Sequence, residues 1–370
     1  MSGSARIPIT NIHTGSDYTG VIRIGPARQA MNLILDTGSS AMAIDAAKYT
    51  PDFAHDHSTN LAQASGYQDD NSWTGAVIKT QVAFGEGDSE IVLKDAEVAV
   101  AYQNGGSMFQ LADGILGLAY ATLDAGYLMP ADSWATKYSA AQVRGGTKQR
   151  LQPCLSQFQK LSFLTRRSFT HVGSGGADDL LNKGWLIVGG GEECTDLYSG
   201  AFQTAKILSD TWYCTNLKEI RVGASSPIAV AAQGPQGMPS NSIVDSGTNS
   251  LALGPDILDA LLAKFTAPQQ MLLKKAMSNI LVSVDDLELA SWPTITFVLE
   301  SDDGDISLEV PPDNYWQVNT QSVGKAMIAI TSAQPGWTIL GLPLMNGYFT
   351  IFDGAADEGR GVVKFAKRKA

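Results

Sequence analysis

Short apolar runs that end at Gly, Asp or Asn recur along most of the chain. The runs are rich in β-branched residues and have the length of single strands, which is typical of β structure. The 37 glycines suit the many tight turns that such strands need. The clearest runs are TGVIRIG (19–25), NLILD (32–36), GAVIKTQVAFG (75–85), EIVLKDAEVAVAY (90–102), GWLIVGG (184–190), LKEIRVG (217–223), TITFVLE (294–300) and YFTIF (348–352). We therefore predict a mostly-β protein.

Helical periodicity is rarer. The segment PDILDALLAKF (255–265) has a proline at its start and apolar residues three to four positions apart, which predicts a helix. The segments 130–142 and 154–165 are weaker helix candidates. In LLAKFTAPQQMLLKKAM (261–277), an apolar stripe with lysines predicts a packed helix rather than a membrane-surface helix.

An internal repeat is the strongest organisational signal. LILDTGSS (33–40) is followed by ADGILGLA (112–119), and SIVDSGTNSL (242–251) is followed at a similar distance by WTILGLPL (337–344). Two related halves would pair about an approximate two-fold axis, so that equivalent loops meet at the centre. We predict an N-terminal lobe over 1–190 and a C-terminal lobe over 191–370, with the crossover within 184–200.

The repeat brings two acids, Asp36 and Asp245, to the tips of apolar strands. Two carboxyl groups within hydrogen-bonding reach cannot both ionise cheaply, so the pair holds one proton over a range of pH. One Asp can then act as a general base on a water molecule while the other acts as a general acid. A single Asp-Thr/Ser-Gly motif is more often a surface turn with an Asx cap, but two matched copies favour catalysis.

The residues after each Asp suit this chemistry. Gly38 and Gly247 allow a sharp turn and a close approach. Ser39 and Thr248 lie three positions after each Asp, where a hydroxyl group can hydrogen-bond back to the carboxylate. The predicted catalytic residues are Asp36 and Asp245, and the predicted dyad-orienting residues are Ser39, Thr248, Gly38, Gly247, Thr37 and Ser246.

Charge and length limit the alternatives. The chain of 370 residues is long enough for two or three domains, and its net charge of −11 argues against a nucleic-acid partner. We find no apolar run long enough for a membrane span and no signal peptide. Three cysteines, without metal-ligand spacing, suggest reduced thiols rather than a disulfide framework. We therefore expect a cytoplasmic monomer that needs no metal and no cofactor.

Two further motifs have a functional and a plain interpretation. AHDH (54–57) can bind a metal weakly, but a solvated loop is the favoured interpretation. VGGGEEC (188–194) lacks the spacing of a phosphate-binding loop, so we predict a turn.

At these motifs the chain resembles the pepsin-like family of aspartic endopeptidases. The similarity runs from YTGVIRIGPARQAMNLILDTGSS (18–40) through ADGILGLAYATLD (112–124) to ILGLPLMNGYFTIFD (339–353). It implies a bilobal, mostly-β acid protease fold, with two six-stranded, barrel-like lobes and a β-hairpin flap over a central cleft. A peptide or unfolded protein would bind there as an added strand.

The resemblance also implies flap and pocket residues. Tyr67 is the flap candidate, although an ordinary loop tyrosine is the alternative, and Trp73 lies on the other side of the same hairpin. The candidate substrate pocket consists of apolar residues that are equally well interpreted as core, namely Ile34, Met108, Phe109 and Ile115. For Met108 and Phe109 core is the favoured interpretation.

The chain departs from the family pattern at several positions. Ala43 replaces the usual Trp after the first motif, so the flap must be supported by another residue, such as Trp73 or Trp134. Leu342 stands where the closing motif usually has an acid, and the family's disulfides have no counterparts. The first Asp lies so close to the start that we expect no inhibitory prosegment, as in bacterial members of the family.

These observations predict a pepstatin-sensitive aspartic endopeptidase. It would cut between bulky hydrophobic residues at acid pH, without a zymogen stage. The alternative from another class is a non-catalytic binding or inhibitor protein with the same fold. Such relatives usually have one damaged motif, whereas both motifs are intact here.

Overall fold

A computed structural model describes residues 4–11, 17–66, 72–105, 108–109, 111–153, 158, 160–164, 184–319 and 323–369. The strands of the first half are β1 (Ala5–Asn11), β2 (Tyr18–Ile24), β3 (Gln29–Asp36), β4 (Met42–Asp45), β5 (His57–Gly66), β6 (Ser72–Phe84), β7 (Ile91–Gly105), β8 (Gly114–Gly117), β9 (Ala125–Leu128), β10 (Thr147–Arg150), β11 (Lys160–Leu164) and β12 (Gly184–Val188). The strands of the second half are β13 (Tyr198–Lys206), β14 (Cys214–Thr215), β15 (Leu217–Val222), β16 (Ile228–Ala229), β17 (Ser242–Val244), β18 (Leu251–Leu253), β19 (Val282–Ser283), β20 (Ile295–Leu299), β21 (Ile306–Val310), β22 (Trp316–Val318), β23 (Lys325–Ile328), β24 (Ile330–Ser332), β25 (Thr338–Leu340), β26 (Tyr348–Asp353) and β27 (Val362–Arg368).

The described helices are short and connect the strands. They are α1 (Ser133–Thr136), α2 (Ala140–Arg144), α3 (Pro255–Leu262), α4 (Ala267–Met277), α5 (Val284–Leu287), α6 (Pro312–Tyr315) and α7 (Leu342–Met345). The predicted helix at 255–265 is confirmed as α3, which buries Leu258, Leu261 and Leu262. The packed helix predicted within 261–277 is α4, whose first turn is closed by a Thr266–Gln269 capping box.

One helix prediction is wrong. The weak candidate at 154–165 contains strand β11, and residues 154–157 and 159 lie outside the described ranges. β11 pairs with β12 on one side and with β26 on the other. Because a central strand satisfies its main-chain groups on both edges, this pairing outweighs the weak helical periodicity of the segment.

The first lobe is a closed barrel-like sheet. Its strands follow the order β6-β7-β4-β8-β3-β2, and β2 pairs again with β6, which closes the ring of six strands. Closure removes free strand edges. The mostly-β, bilobal fold expected from the sequence is confirmed.

The two lobes share one strand arrangement around their repeated motifs. In the first, β3 runs parallel to β8, and β8 pairs antiparallel with β4. In the second, β17 runs parallel to β25, and β25 pairs antiparallel with β18. Each Asp motif therefore leaves its strand beside an Ile-Leu-Gly strand, and the sequence repeat corresponds to a repeat of local structure.

A six-stranded antiparallel sheet joins the halves, in the order β1-β12-β11-β26-β27-β13. It combines strands from the start, middle and end of the chain. The predicted boundary at residue 190 falls between β12 and β13, inside this shared sheet, and stays a prediction.

None of the helices in the described ranges has the length and hydrophobicity of a membrane-crossing segment. Cys194 and Cys214 are buried free thiols, whereas Cys154 lies outside the described residues.

An ion-pair network crosses the shared sheet. Lys364 Nζ lies 2.7 Å from Glu192 Oε1 and 2.9 Å from Asp353 Oδ2. Lys160 Nζ contacts the same two acids at 2.9 and 3.2 Å. Since Asp353 is 4% exposed, its charge depends on these two lysines for compensation.

We expect Lys364→Met to destabilise the protein by about 1–3 kcal/mol, because it removes one cation from a buried carboxylate. Thermal unfolding followed by circular dichroism measures the effect. The matched control is Lys218→Met, which breaks the exposed Lys218–Asp305 pair and should leave the unfolding temperature within error of the parent. Equal unfolding temperatures for parent and Lys364→Met would show that the network contributes nothing.

Candidate active site

Both sequence-predicted acids lie at the ends of central strands. Asp36 ends β3, and its main-chain carbonyl accepts a hydrogen bond of 2.7 Å from Leu118 N. Asp245 directly follows β17, and its N–H donates to Leu340 O at 3.1 Å. The Ile-Leu-Gly strands thus hold both loops in place.

A reciprocal clasp joins the two loops. Thr37 N donates to Ser246 Oγ at 3.0 Å, and Ser246 N donates to Thr37 Oγ1 at 2.8 Å. Each hydroxyl group also reaches across to the opposite strand, since Ser246 Oγ donates to Leu35 O and Thr37 Oγ1 to Val244 O. Both side chains are fully buried, so each loop supplies hydrogen bonds that the other needs.

The clasp brings the carboxyl groups into contact across the lobe boundary. A Cβ atom on Gly38 would lie 2.8 Å from the carboxyl carbon of Asp245, and one on Gly247 would overlap Asp36 Oδ1. Glycine is therefore required at both positions for steric reasons. The two carboxyl groups are close enough for each to affect the pKa of the other.

Each Asp is held by the same pair of donors. Gly38 N donates to Asp36 Oδ1 at 2.7 Å, and the Ser39 hydroxyl donates to Asp36 Oδ2. In the second loop Gly247 N donates to Asp245 Oδ1 at 2.9 Å. Thr248 Oγ1 donates to Asp245 Oδ2 at 2.6 Å.

Burial sets the protonation of the pair. Asp36 is 5% exposed and Asp245 7%. Burial raises the pKa of both residues, and the charge of Asp245 raises the pKa of Asp36 further. The hydrogen bonds from Gly38, Ser39, Gly247 and Thr248 lower these pKa values but do not cancel the rise. The pair therefore keeps a proton to higher pH than an exposed Asp would.

The hairpin expected to carry the flap is formed by β5 and β6, which pair up to Gly66 and Ser72. Tyr67, the flap candidate, lies outside the described residues. Trp73, one residue into β6, is 1% exposed and packs inward.

All the predicted pocket residues lie with Trp73 in one buried cluster. It contains Ile34, Ala43, Trp73, Ala99, Ala101, Met108, Phe109, Ala112 and Ile115. Ile34 lies two residues before Asp36 on the same strand, so its side chain shares a sheet face with the carboxylate. Ala43 and Trp73 belong to the same cluster, so the hairpin strand β6 contributes an indole ring beside Ala43. The other candidate, Trp134, packs elsewhere, with its ring centroid 6.1 Å from that of Phe53.

The second lobe has a corresponding cluster that the sequence interpretation missed. It contains Cys214, Ile243, Ala252, Trp337 and Ile339, with Leu208, Trp212, Met238 and Ala333 packed against it. Ile243 and Ile339 pair across the strands as Ile34 and Ile115 do in the first lobe. Aligning the two repeats residue by residue would have found these positions.

Trp212 was also missed, and no motif marks it. Its Nε1 donates to Gly38 O at 2.9 Å, across the lobe boundary. Leu342, which replaces the family's acid, is fully buried, and its N–H donates to Thr248 O at 2.9 Å.

The described residues contain no cluster of three or more potential metal ligands. In the AHDH loop His55 Nδ1 lies 2.9 Å from Asp52 Oδ2, and Asp56 accepts hydrogen bonds from Tyr49 and Thr80. His13 and His171 lie outside the described ranges.

Comparison with known proteins agrees with this geometry. Pepsin B of Canis lupus familiaris is 27% identical over 370 residues, which is 95% of this chain and 82% of the relative. Gastricsin of Macaca fuscata fuscata is 24% identical, with 91% of this chain and 81% of the relative covered. A beta-secretase of Strongylocentrotus purpuratus is 25% identical, with 92% and 65% covered. The family model described as eukaryotic aspartyl protease matches residues 17–367. Since that match spans nearly the whole sequence, this chain belongs to the eukaryotic aspartyl protease family.

Proposed function

We propose that this chain is an aspartic endopeptidase that hydrolyses peptide bonds at acid pH, with Asp36 and Asp245 as its catalytic residues. The observation that carries the proposal is the reciprocal Thr37–Ser246 clasp, which holds two buried Asp residues beside each other, with the glycine of each loop packed against the carboxyl group of the other. Both Asp-Thr/Ser-Gly motifs are complete, which disfavours the alternative of a non-catalytic binding protein.

The reaction needs one proton on the pair. The ionised Asp removes a proton from a water molecule as the water oxygen attacks the peptide carbonyl carbon, and the protonated Asp donates its proton to the carbonyl oxygen. The resulting diol collapses as one of its hydroxyl groups gives a proton to the now ionised Asp and the C–N bond breaks, while the departing nitrogen takes a proton from the Asp that served as the base. The base and acid roles are then restored for the next turnover.

The orienting residues keep the dyad in working geometry. Ser39 and Thr248 each hold one carboxylate oxygen, and Gly38 N and Gly247 N hold the other. Fixing both oxygens removes rotation about the carboxyl group, so less freedom is lost when the transition state forms.

Two apolar clusters support a preference for bulky hydrophobic residues on both sides of the cut bond. Ile34 and Ile115 lie in the first lobe and Ile243 and Ile339 in the second, in matching positions around the dyad. An extended peptide between the lobes would meet one cluster on each side of its scissile bond.

Several finer features stay predictions from the sequence. They are inhibition by pepstatin-like compounds, a monomeric state, a cytoplasmic location and kinship with bacterial members of the family.

We expect Asp36→Asn and Asp245→Asn each to lower turnover of a denatured protein at pH 4 by at least about 10³-fold, because each removes one half of the acid–base pair. Peptide release followed by mass spectrometry gives the rate. The exposed Asp256→Asn, at the start of α3, is the matched control and should retain full activity. Turnover by either dyad variant would refute the mechanism, and an inactive parent would favour the binding-protein alternative.

The buried dyad should also make stability depend on pH. An unfolded Asp titrates at about 3.9, whereas the folded pair has raised pKa values. The stability that follows from tighter proton binding is therefore fully present below about pH 4 and is lost as pH rises through the folded pKa.

Asp36→Asn removes one ionising group from this pair, so it should unfold at a higher temperature than the parent at pH 7 and at nearly the same temperature at pH 4. Each unit of raised pKa corresponds to about 1.4 kcal/mol, or roughly 2–4 °C in a lobe of this size. Calorimetry at both pH values tests this. An equal difference at pH 4 and pH 7 would contradict the raised pKa.

Substrate preference can be tested with matched variants of the two clusters. Ile115→Val should weaken the preference for Phe over Ala on one side of the cut by about threefold, and Ile339→Val should do so on the other side, because each removes one methylene group from its pocket. Cleavage of a peptide library by each variant gives both preferences. Equal changes on both sides for both variants would contradict the assignment of one cluster to each side.

A further inference from the structure

Trp212 and Tyr213, immediately before β14, connect the second lobe to the loops around Asp36. Trp212 Nε1 donates to Gly38 O at 2.9 Å, and the Tyr213 hydroxyl donates to Leu118 O at 2.9 Å. Leu118 N in turn donates to Asp36 O at 2.7 Å. The two side chains therefore reach the main chain on both sides of the first catalytic loop.

The two donors are fixed relative to Asp245. Tyr213 O accepts a hydrogen bond of 3.2 Å from Val244 N, the residue before Asp245, and Cys214 pairs with Ile243. The Trp212 ring packs edge-on against Trp337, with the centroids 6.3 Å apart and the planes at 66°. The strand that leads to Asp245 thus holds Trp212 in place, and Trp212 donates a hydrogen bond to the loop of Asp36.

Trp212 anchors the peptide group between Gly38 and Ser39, close to the carboxylate of Asp36. The Gly38–Ser39 peptide joins the two residues that hold the carboxylate of Asp36, since Gly38 N donates to Oδ1 and Ser39 Oγ to Oδ2. Gly38 must lack a side chain because of Asp245, and glycine has the greatest backbone freedom. Steric crowding therefore requires the most flexible residue at position 38, and the hydrogen bond from Trp212 in the other lobe restrains the backbone there.

This restraint is not repeated by symmetry. Within the part of the chain that the structure describes, no group donates to the carbonyl of Gly247, the counterpart of Gly38. The indole N–H of Trp337, in the same cluster as Trp212, has no partner among the described residues. Trp212 thus bonds to a catalytic loop, and the neighbouring Trp337 serves as a control for the loss of an indole N–H in the same cluster.

We propose that Trp212 is a positioning residue for Asp36, which fixes the Gly38–Ser39 peptide so that both carboxylate oxygens keep their donors. The proposal rests on the function proposed above. The hydrogen bonds from Ser39 and Gly38 lower the pKa of Asp36 against the effect of burial. If the peptide were free to rotate, these bonds would weaken and the pKa of Asp36 would rise.

The charged surroundings of Asp36 are simple in the described structure. Asp245 is the ionisable group whose charge acts on Asp36. Tyr213 and Cys214, on the element that carries Trp212, have pKa values raised by burial above that of Asp36, so they stay neutral while the pair titrates. A shift in the alkaline limb of activity therefore reports on the dyad.

The test compares Trp212→Phe with Trp337→Phe. In Trp212→Phe, kcat should fall about tenfold with KM within about twofold of the parent. The alkaline limb of the kcat/KM profile, where the pair loses the proton that Asp36 holds, should move up by about half a pH unit. Trp337→Phe loses an unpartnered N–H, so its alkaline limb should coincide with that of the parent. Benzothienylalanine at position 212, which keeps the ring shape without the N–H, should behave like Trp212→Phe. If the smaller phenylalanine ring impairs folding, the benzothienylalanine variant takes the place of Trp212→Phe in the comparison.

A second measurement needs no catalysis. Trp212→Phe should unfold at a lower temperature than the parent, and by a larger margin at pH 7 than at pH 4. When Asp36→Asn is also present, the margin should be the same at both pH values. An inactive parent would refute the proposed function, whereas the unfolding temperatures would still decide the role of Trp212. An active, Asp36-dependent parent with the alkaline limb unmoved in Trp212→Phe would overturn this inference alone.

Discussion

The exchange of hydrogen bonds between Thr37 and Ser246 is the constraint on which the site depends. Each hydroxyl group accepts from the opposite main chain and donates to the opposite strand, so neither loop satisfies its buried polar groups alone. The two loops therefore bind as a unit, and the residues on either side, Asp36 and Asp245, are carried into contact. The arrangement of the two acids is a consequence of satisfying polar groups at the lobe boundary.

Bringing two acids together inside the protein costs free energy, and the local sequence limits that cost. Burial and mutual repulsion favour the protonated form, while a main-chain N–H and a hydroxyl group at each Asp favour the ionised form. The balance leaves the pKa values of both acids raised, so the fully ionised pair is the costly state. That cost is what would let the proposed dyad serve as both an acid and a base.

The sequence was sufficient for those parts of the site that are local and repeated. Both Asp residues, their glycines and their hydroxyl neighbours lie within single motifs, and the second copy distinguishes the motif from an ordinary turn. Contacts between distant segments leave no such signal. Trp212 bonds to a residue 174 positions away, and nothing near it in the sequence differs from a strand end. The same limit explains strand β11, whose conformation is set by β12 and β26 rather than by its own periodicity.

Ala43 and Trp73 illustrate the difference between composition and packing. The loss of an aromatic residue from β4 suggests a weakened flap if positions are considered singly. In the folded chain Trp73 enters the same cluster from the hairpin strand β6, so the indole ring is supplied by the hairpin itself. A buried ring on β6 ties the Gly66–Ser72 end of the hairpin to the wall beside Asp36, and this part of the hairpin is thereby anchored by burial of its own side chain.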